Sequence, residues 1–393
     1  MFKYVSFPPY FAQLYRHGDR SPIYMYPNDP NPKGIWPEGL GALTELGKQQ
    51  HRNLGKYFRN HYQDFMTSDP SEINVLSTHK SRCIQSAISN LQTFYPFNEA
   101  VEFQEQANDA QIPIFYMASA YDEILGTDVD CPRLRNEKKK AVDEKMDKLS
   151  GKFREMFEFY SYHAGDEINS WRMAVSLYDT LFIEKKHNHM IPEWADAYWS
   201  KLEEILELAH SWHTGIALRL RAGPFLKYII ENMHDKIHGI SRFKFHAFSA
   251  HNVNLNIISK ALSLNLSTKP PYCATLIFEL YSGTTNSNFV RILYLNSTEP
   301  EKEIEEPHVL LLGDCEEFCP LEYFMKYTRY LIPLNFQEEC KIPEYQQTNF
   351  PFGIIMAVFG VFILIIIAVF FRSFREMYHR LSIIKHDILH QKV

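Results

Sequence analysis

A chain of 393 residues with 45% hydrophobic and 22% charged residues is ordinary globular material, long enough for one large domain with an insertion or for two domains. Its net charge of −6, with no basic stripe interleaved with aromatics, excludes a nucleic-acid partner. Phe11 to Tyr15 then predicts a short buried strand, whose end presents Tyr15-Arg16-His17-Gly18-Asp19-Arg20-Ser21-Pro22. Arg16 and Arg20 supply planar forks that match phosphate oxygens, and Gly18 permits close backbone approach or positive φ. His17, set between these cations, is expected to stay neutral, with one ring nitrogen free as a nucleophile. A five-position match to R-H-G-x-R-x-P arises by chance in roughly one chain in ten thousand of this length.

Beyond the motif, Thr44 is a helix-cap candidate, and Leu54, Phe58, Tyr62 and Phe65 recur at helical spacing to about residue 66. Ile73 to Leu76 predicts a second strand, followed by a helix that keeps Ile84, Ile88, Leu91 and Phe94 on one face. Arg82 falls in the first turn of that helix, where unpaired amides and the dipole favour an anion. Residues 125 to about 215 are charge-rich and glycine-poor, with amphipathic stretches at Lys138 to Tyr160 and Pro192 to His213 that predict an inserted helical cap.

Pro224 to Met233 predicts a helix with Leu226, Ile229 and Ile230 inward. Phe243, Phe245, Ala247 and Ser249 alternate as in a strand, and Val253 to Leu264 predicts the helix after it. The third strand-to-helix junction is Ser249-Ala250-His251-Asn252. Three such junctions therefore offer Arg16 with His17 and Arg20, then Arg82, then His251. Ligands of α/β sheets collect at the carboxyl ends of strands, so one anionic pocket is expected there.

The expected fold is α/β, a central and mostly parallel sheet flanked by helices. Residues 1–124 and 216–345 form the discontinuous main domain and 125–215 the cap. Residues 351–371 carry no charge and reach bilayer-spanning length, predicting a single transmembrane helix. Arg372, Arg375, Arg380, Lys385 and Lys392 follow it, whereas Lys341 stands against Glu338, Glu339 and Glu344 before it. That asymmetry places 372–393 in the cytosol and the large domain in the lumen or outside, as a single-pass type I protein. Met1 to Tyr10 has no apolar export region, so either the true start lies upstream or the protein inserts by its tail with the domain cytosolic. The sequons at Asn265 and Asn296 and the six cysteines favour export. Cys315 and Cys319 read as a metal half-site without a second half or, better, as a short disulfide.

The motif, with Trp36-Pro37-Glu38-Gly39-Leu40-Gly41-Ala42-Leu43-Thr44-Glu45-Leu46-Gly47, resembles the histidine acid phosphatases of the phosphoglycerate-mutase-like superfamily, closest in pattern to the lysosomal and prostatic members. The likeness runs over nearly all of residues 10 to 340. It implies hydrolysis of a small phosphomonoester through a phosphohistidine on His17, with Arg16, Arg20, Arg82 and His251 neutralising the phosphoryl oxygens and with no metal or cofactor. It also implies disulfides Cys131–Cys340 and Cys315–Cys319, leaving Cys83 and Cys273 unassigned, and raises a homodimer as an option. Tyr178 to Phe182 and Pro192 to Ala195 resemble the family's cap segments, with Ile183 where relatives often have cysteine. Tyr378-His379-Arg380-Leu381 fits a lysosomal sorting signal as well as a plain basic tail.

Two departures matter. The family's S-T-D-x-D-R-T run is here Ser77-Thr78-His79-Lys80-Ser81-Arg82-Cys83, with the arginine kept and the acids absent. The acid expected after the second histidine is Asn252, and an amide cannot release a proton to a departing alkoxide. Two functions follow as expectations: a membrane-anchored acid phosphatase that is slow or selective for activated esters, or a binder of phosphorylated ligands that does not turn them over.

Overall fold

The computed structural model describes residues 9–66, 69–95, 112–210, 212–264, 266, 269–283, 287–343 and 360–377. The chain divides into two compact units, Met1–Cys340 and Lys341–Val393.

In the first unit, β1 (Tyr10–Arg16) leads through the motif loop to α1 (Glu45–His61), then β2 (Ile73–Thr78), α2 (Ser81–Phe94) and β3 (Ile114–Met117). A run of helices follows: α3 (Pro132–Lys138), α4 (Glu144–Ala164), α5 (Trp171–Lys186), α6 (Trp199–His210) and α7 (Gly215–Ile237). The chain returns to the sheet as β4 (Phe245–Ala250), α8 (Asn252–Ala261), β5 (Thr275–Ser282), β6 (Asn288–Leu295), β7 (His308–Leu310) and β8 (Cys319–Pro320). It closes with α9 (Leu321–Thr328) and α10 (Phe336–Glu339).

The sheet is mixed, which corrects the expectation of a mostly parallel one. Its order is β3-β2-β4-β1-β5-β6-β7, with β8 also on β6. Pairs β3–β2, β2–β4 and β4–β1 are parallel, whereas β1–β5, β5–β6, β6–β7 and β6–β8 are antiparallel. The short connection from Ser282 to Asn288 makes β5 and β6 a hairpin, and a hairpin can only be antiparallel.

Both faces of the central strands are covered, so they read as nearly continuous apolar runs. Successive side chains alternate between faces. Tyr10, Ala12 and Leu14 of β1, Phe248 and Ala250 of β4, and Leu276, Phe278 and Leu280 of β5 join Phe225, Leu226 and Ile229 of α7 and Leu255 and Ile258 of α8 in one core. Phe11 and Tyr15, Phe245 and Ala247, and Ile277 join Leu54 and Phe58 of α1 and Ala87 and Phe94 of α2 in the other. A third cluster, including Val142, Phe153, Tyr160, Leu177, Leu181 and Leu202, lies among α4, α5 and α6.

Helix α2 buries Cys83, Ser86, Ala87, Asn90 and Phe94, whereas Ile84, Ile88 and Leu91 are only half-buried. The buried face is built from small and polar residues because α1 lies close: a Cβ on Gly55 would come within 2.2 Å of the Asn90 carbonyl oxygen. Helix α7 begins at Gly215 and runs through Pro224, nine residues earlier than apolar spacing predicts.

The same closeness fixes the motif loop. Thr44 caps α1, its Oγ1 accepting from Gly47 N–H at 3.1 Å. A Cβ on Gly18 would lie 2.4 Å from the Gly47 carbonyl oxygen, and one on Gly47 would lie 2.2 Å from the Asp19 carbonyl oxygen. Both glycines are thus required by backbone approach. Gly47→Ala is expected to destabilise the fold by about 1–3 kcal/mol through forced separation of loop and helix. A lowered urea midpoint checks this, and an unchanged midpoint contradicts it.

Disulfides join Cys131 to Cys340 and Cys315 to Cys319, while Cys83 and Cys273 are free and buried. Asn296 directly follows β6 and its Oδ1 accepts from His308 Nε2–H at 3.0 Å. Asn265, Met1 to Pro8 and the tail from Tyr378 lie outside the described residues.

In the second unit, residues 360–377 are helical with exposed apolar side chains. The expected span 351–371 falls partly on 351–359, outside the described residues. Among the described residues no helix is long and apolar enough to cross a membrane.

Candidate active site

Parallel neighbours β2, β4 and β1 end at one level. Tyr15 pairs with Ser249 and Ser249 with Ser77, and Arg16 pairs with Ala250. The next residues along are His17, His251 and, one position beyond Thr78, His79. The junctions that sequence spacing singles out therefore converge at one sheet edge because the strands that carry them run the same way.

His17 is buried, at 3% exposure, and its backbone N–H donates to the Ala250 carbonyl at 2.9 Å. Its Nδ1 lies 2.8 Å from the Gly18 carbonyl oxygen. A carbonyl can only accept, so Nδ1 carries the proton and Nε2 keeps its lone pair. Burial, then the charges of Arg82 and Arg16, then His251 and Arg20, hold this imidazole well below its ordinary pKa. A neutral nucleophile is the result.

His251 is the N-cap of α8, with its ring 5.5 Å from that of His17 and inclined at 73°. Its Nε2 is 3.1 Å from Thr78 Oγ1, and Cys83 Sγ packs 3.7 Å from the same nitrogen. Burial, followed by Arg82, Arg20, Lys80 and Arg16, keeps this ring neutral as well. His251 therefore presents a hydrogen-bonding edge and not the full positive charge that charge neutralisation implies.

Arg16 donates from Nη1 to the Pro270 carbonyl at 2.6 Å, and its Cζ lies 4.1 Å from the Tyr272 ring centre. Arg82, at the second position of α2, has a buried Nε without a hydrogen-bond partner. Arg20 differs from expectation. Its fork is occupied by Asp179 of α5, with Nη1 at 3.0 Å and Nη2 at 2.7 Å from the two carboxylate oxygens. Against a burial penalty, Asp179 raises the Arg20 pKa and keeps it charged.

Asp19 is fully buried. It accepts from Thr44 Oγ1–H and His187 Nε2–H, each at 2.7 Å, and lies 3.7 Å from Lys186 Nζ. Burial alone would raise its pKa; the bonds from His187 and Thr44 outweigh that and hold it low. Asp19 is thus an ionised tie between motif loop, α1 and the end of α5. Asn252 opens α8, half-buried, and its Oδ1 accepts from the Val253 N–H at 2.9 Å.

Asp179, Tyr272, Lys186 and Lys80 belong to the site but are not picked out by sequence patterning. Asp179 sits within the family-like Tyr178 to Phe182 segment, which was a usable signal; Tyr272 follows a Pro-Pro turn and carried none. Because Ser21 also holds Arg20 through its carbonyl at 3.0 Å, Asp179→Asn removes a competing anion without freeing the guanidinium. The expected result is tighter binding of inorganic phosphate, by about tenfold or about 1.4 kcal/mol. Weaker binding in titration calorimetry would instead mark Asp179 as the group that orients Arg20.

The model of the histidine phosphatase superfamily (branch 2) matches residues 11–295. Prostatic acid phosphatase of Bos taurus is 31% identical over 350 residues, covering 86% of this chain and 88% of the relative. Lysosomal acid phosphatase of Xenopus laevis is 28% identical over 368 residues, covering 90% and 84%. Among solved structures, the phytase from Citrobacter braakii superposes with a TM-score of 0.62 at 18% identity, over 86% of this chain and 100% of its own, a likeness of fold. With its family segment spanning the strand ends that carry Arg16, His17, Arg82 and His251, this chain belongs to branch 2 of the histidine phosphatase superfamily.

Proposed function

We propose that this chain hydrolyses phosphate monoesters in two steps, as an acid phosphatase. His17 Nε2 attacks phosphorus, the phosphorus–oxygen bond to the alcohol breaks, and water then hydrolyses the phosphohistidine. Arg16, Arg20 and Arg82 balance the charge on the non-bridging oxygens, His251 donates a hydrogen bond, and positioning and electrostatics supply most of the acceleration. The observation that carries this reading is the Nδ1–H bond to the Gly18 carbonyl, which leaves Nε2 unprotonated beside three guanidiniums. Kinship with acid phosphatases supports it.

Asn252 directs the choice of ester. With no carboxylic acid there, an aryl phosphate, whose phenolate leaves unaided, is the better substrate. Brief reaction with a labelled aryl phosphate, followed by denaturation in alkali, is expected to leave label on the parent and none on His17→Ala. Saturable phosphate binding without label or turnover would favour the second reading, a protein that binds phosphorylated ligands only. The charge-free run at 351–371 further supports a membrane-anchored form with the phosphatase domain lumenal or outside, glycosylated at Asn265 and Asn296. Release of the full chain from membranes by alkaline carbonate would contradict the anchor.

A further inference from the structure

Arg16 and Arg20 are held by different means. Arg20 is clamped by the Asp179 carboxylate. Arg16 instead meets the turn that precedes β5: its Nη1 donates to the Pro270 carbonyl at 2.6 Å, its Cζ lies 4.1 Å from the centre of the Tyr272 ring, and its backbone N–H donates to the Ala274 carbonyl at 2.9 Å. Strand β5 runs antiparallel to β1 with Thr275 paired to Tyr15, so residues 270–274 fall beside the end of β1 that releases Arg16. A guanidinium is planar, and a ring face sets the orientation of that plane, whereas a single hydrogen bond leaves it free to turn.

The backbone is strained where it sets the ring. The Ala274 N–H donates to the Pro271 carbonyl at 3.1 Å, closing a turn with Tyr272 and Cys273 at its centre. Cys273 has a φ of 61° there, at a turn position that normally takes glycine or asparagine. A side chain kept in the left-handed region needs surroundings that fix it, and such residues gather at functional sites. The fixing contacts include Thr275 Oγ1–H, which donates to the Cys273 carbonyl at 2.8 Å, and the burial of both Tyr272 and Cys273. Lys186, in the last turn of α5, reaches the same ring, its Nζ 4.3 Å from the ring centre, and the His17 ring centre lies 6.0 Å away. One ring therefore meets side chains from the end of β1 and the end of α5, close to the nucleophile.

Resting on the phosphatase reading, we infer that Tyr272 is a positioning residue of the reaction: its ring face orients the Arg16 guanidinium so that the rest of the fork meets a phosphoryl oxygen. The ring is needed for this, and the hydroxyl is not. An aliphatic side chain in its place leaves Arg16 present and charged but free to turn, and losing one well-aimed charge-assisted contact weakens phosphate binding by about tenfold.

Titration calorimetry of inorganic phosphate on the full chain tests this without depending on turnover. Tyr272→Leu is expected to weaken phosphate binding by about tenfold, and Tyr272→Phe, which keeps the ring, to recover it to within about threefold of the parent. Arg16→Gln removes the cation that the ring orients. In that background Tyr272→Leu is expected to change binding by less than about twofold, because nothing is left to orient. A ring that merely supports the fold would lower affinity by the same factor in both backgrounds, and that outcome overturns the inference. So does a Tyr272→Leu protein that binds phosphate like the parent, or a Tyr272→Phe protein that loses as much as Tyr272→Leu. Tyr272→Met, unbranched and also without a ring face, takes the place of Tyr272→Leu if that variant does not fold. Failure of the phosphatase reading is separate: it shows as no His17-dependent turnover of an aryl phosphate, whatever the phosphate titrations give.

Discussion

Asn252→Asp is expected to raise turnover of alkyl phosphates by about 10²- to 10⁴-fold, the usual contribution of a general acid. Asn252 starts α8 directly after His251, so a side chain at this position leaves the strand edge that presents His17. A carboxylic acid there can protonate the departing alkoxide, whereas the amide can only donate a hydrogen bond and keeps its Oδ1 on the Val253 N–H. The gain should be confined to poor leaving groups. An aryl phosphate should change by less than about tenfold, because its phenolate needs little protonation. Parallel assays of kcat/KM on both esters check the split. An equal gain on both would mean that residue 252 acts on binding, and no gain on either would remove it from the chemistry.

The second large effect is on stability in acid. His51 and His246 are buried and lowered to about 3 by desolvation, and His17 and His251 are also held well below the usual value. All four are neutral when folded, yet they take up protons near pH 6.5 once unfolded. Between that value and their folded values the unfolded chain binds more protons, so stability falls as pH falls below about 6.5. For His51 and His246 alone the loss at pH 4.5 is about 5 kcal/mol.

Glu184 works the other way. Burial, with its neighbour Asp29, raises its carboxyl to about 9, so folding keeps a proton that the unfolded chain releases above about pH 4.5. That penalty, about 3 kcal/mol at pH 7, is relieved on acidification and offsets only part of the histidine effect. Urea unfolding at pH 7 and pH 5 measures the net slope. His246 sits among Tyr10, Tyr228, Phe243 and Phe248 with both ring nitrogens unpartnered. His246→Phe should therefore raise stability at pH 7 and reduce the acid slope by about one proton, or 1.4 kcal/mol per pH unit. An unchanged slope would show that His246 is protonated in the folded protein.

Much of this was legible in the residues. Apolar runs marked β1 and β2, Thr44 marked the start of α1, and the strand-to-helix junctions marked where the pocket forms. What escaped depends on contacts between distant segments. Arg20 and Asp179 are 159 residues apart, and no local pattern tells a guanidinium which carboxylate will reach it. Helix α2 buries Phe94 as its apolar spacing predicts but leaves Ile84 and Ile88 half-buried, because tight approach to α1 at Gly55 favours small residues on the facing side. Helix α7 passes through Pro224 even though proline removes a backbone donor, and its core side chains Phe225, Leu226 and Ile229 outweigh that loss. The β5–β6 hairpin is rich in β-branched and aromatic residues and carries a readable strand signal, and its antiparallel pairing is part of what makes the sheet mixed.

The bond between Cys131 and Cys340 has a consequence for how damage would show itself. It spans 209 positions and closes at the last residue of the first unit. A single protease cut anywhere from 132 to 339 would leave both pieces covalently joined. The nicked protein would run as one species on a non-reducing gel and separate into two bands only after thiol treatment.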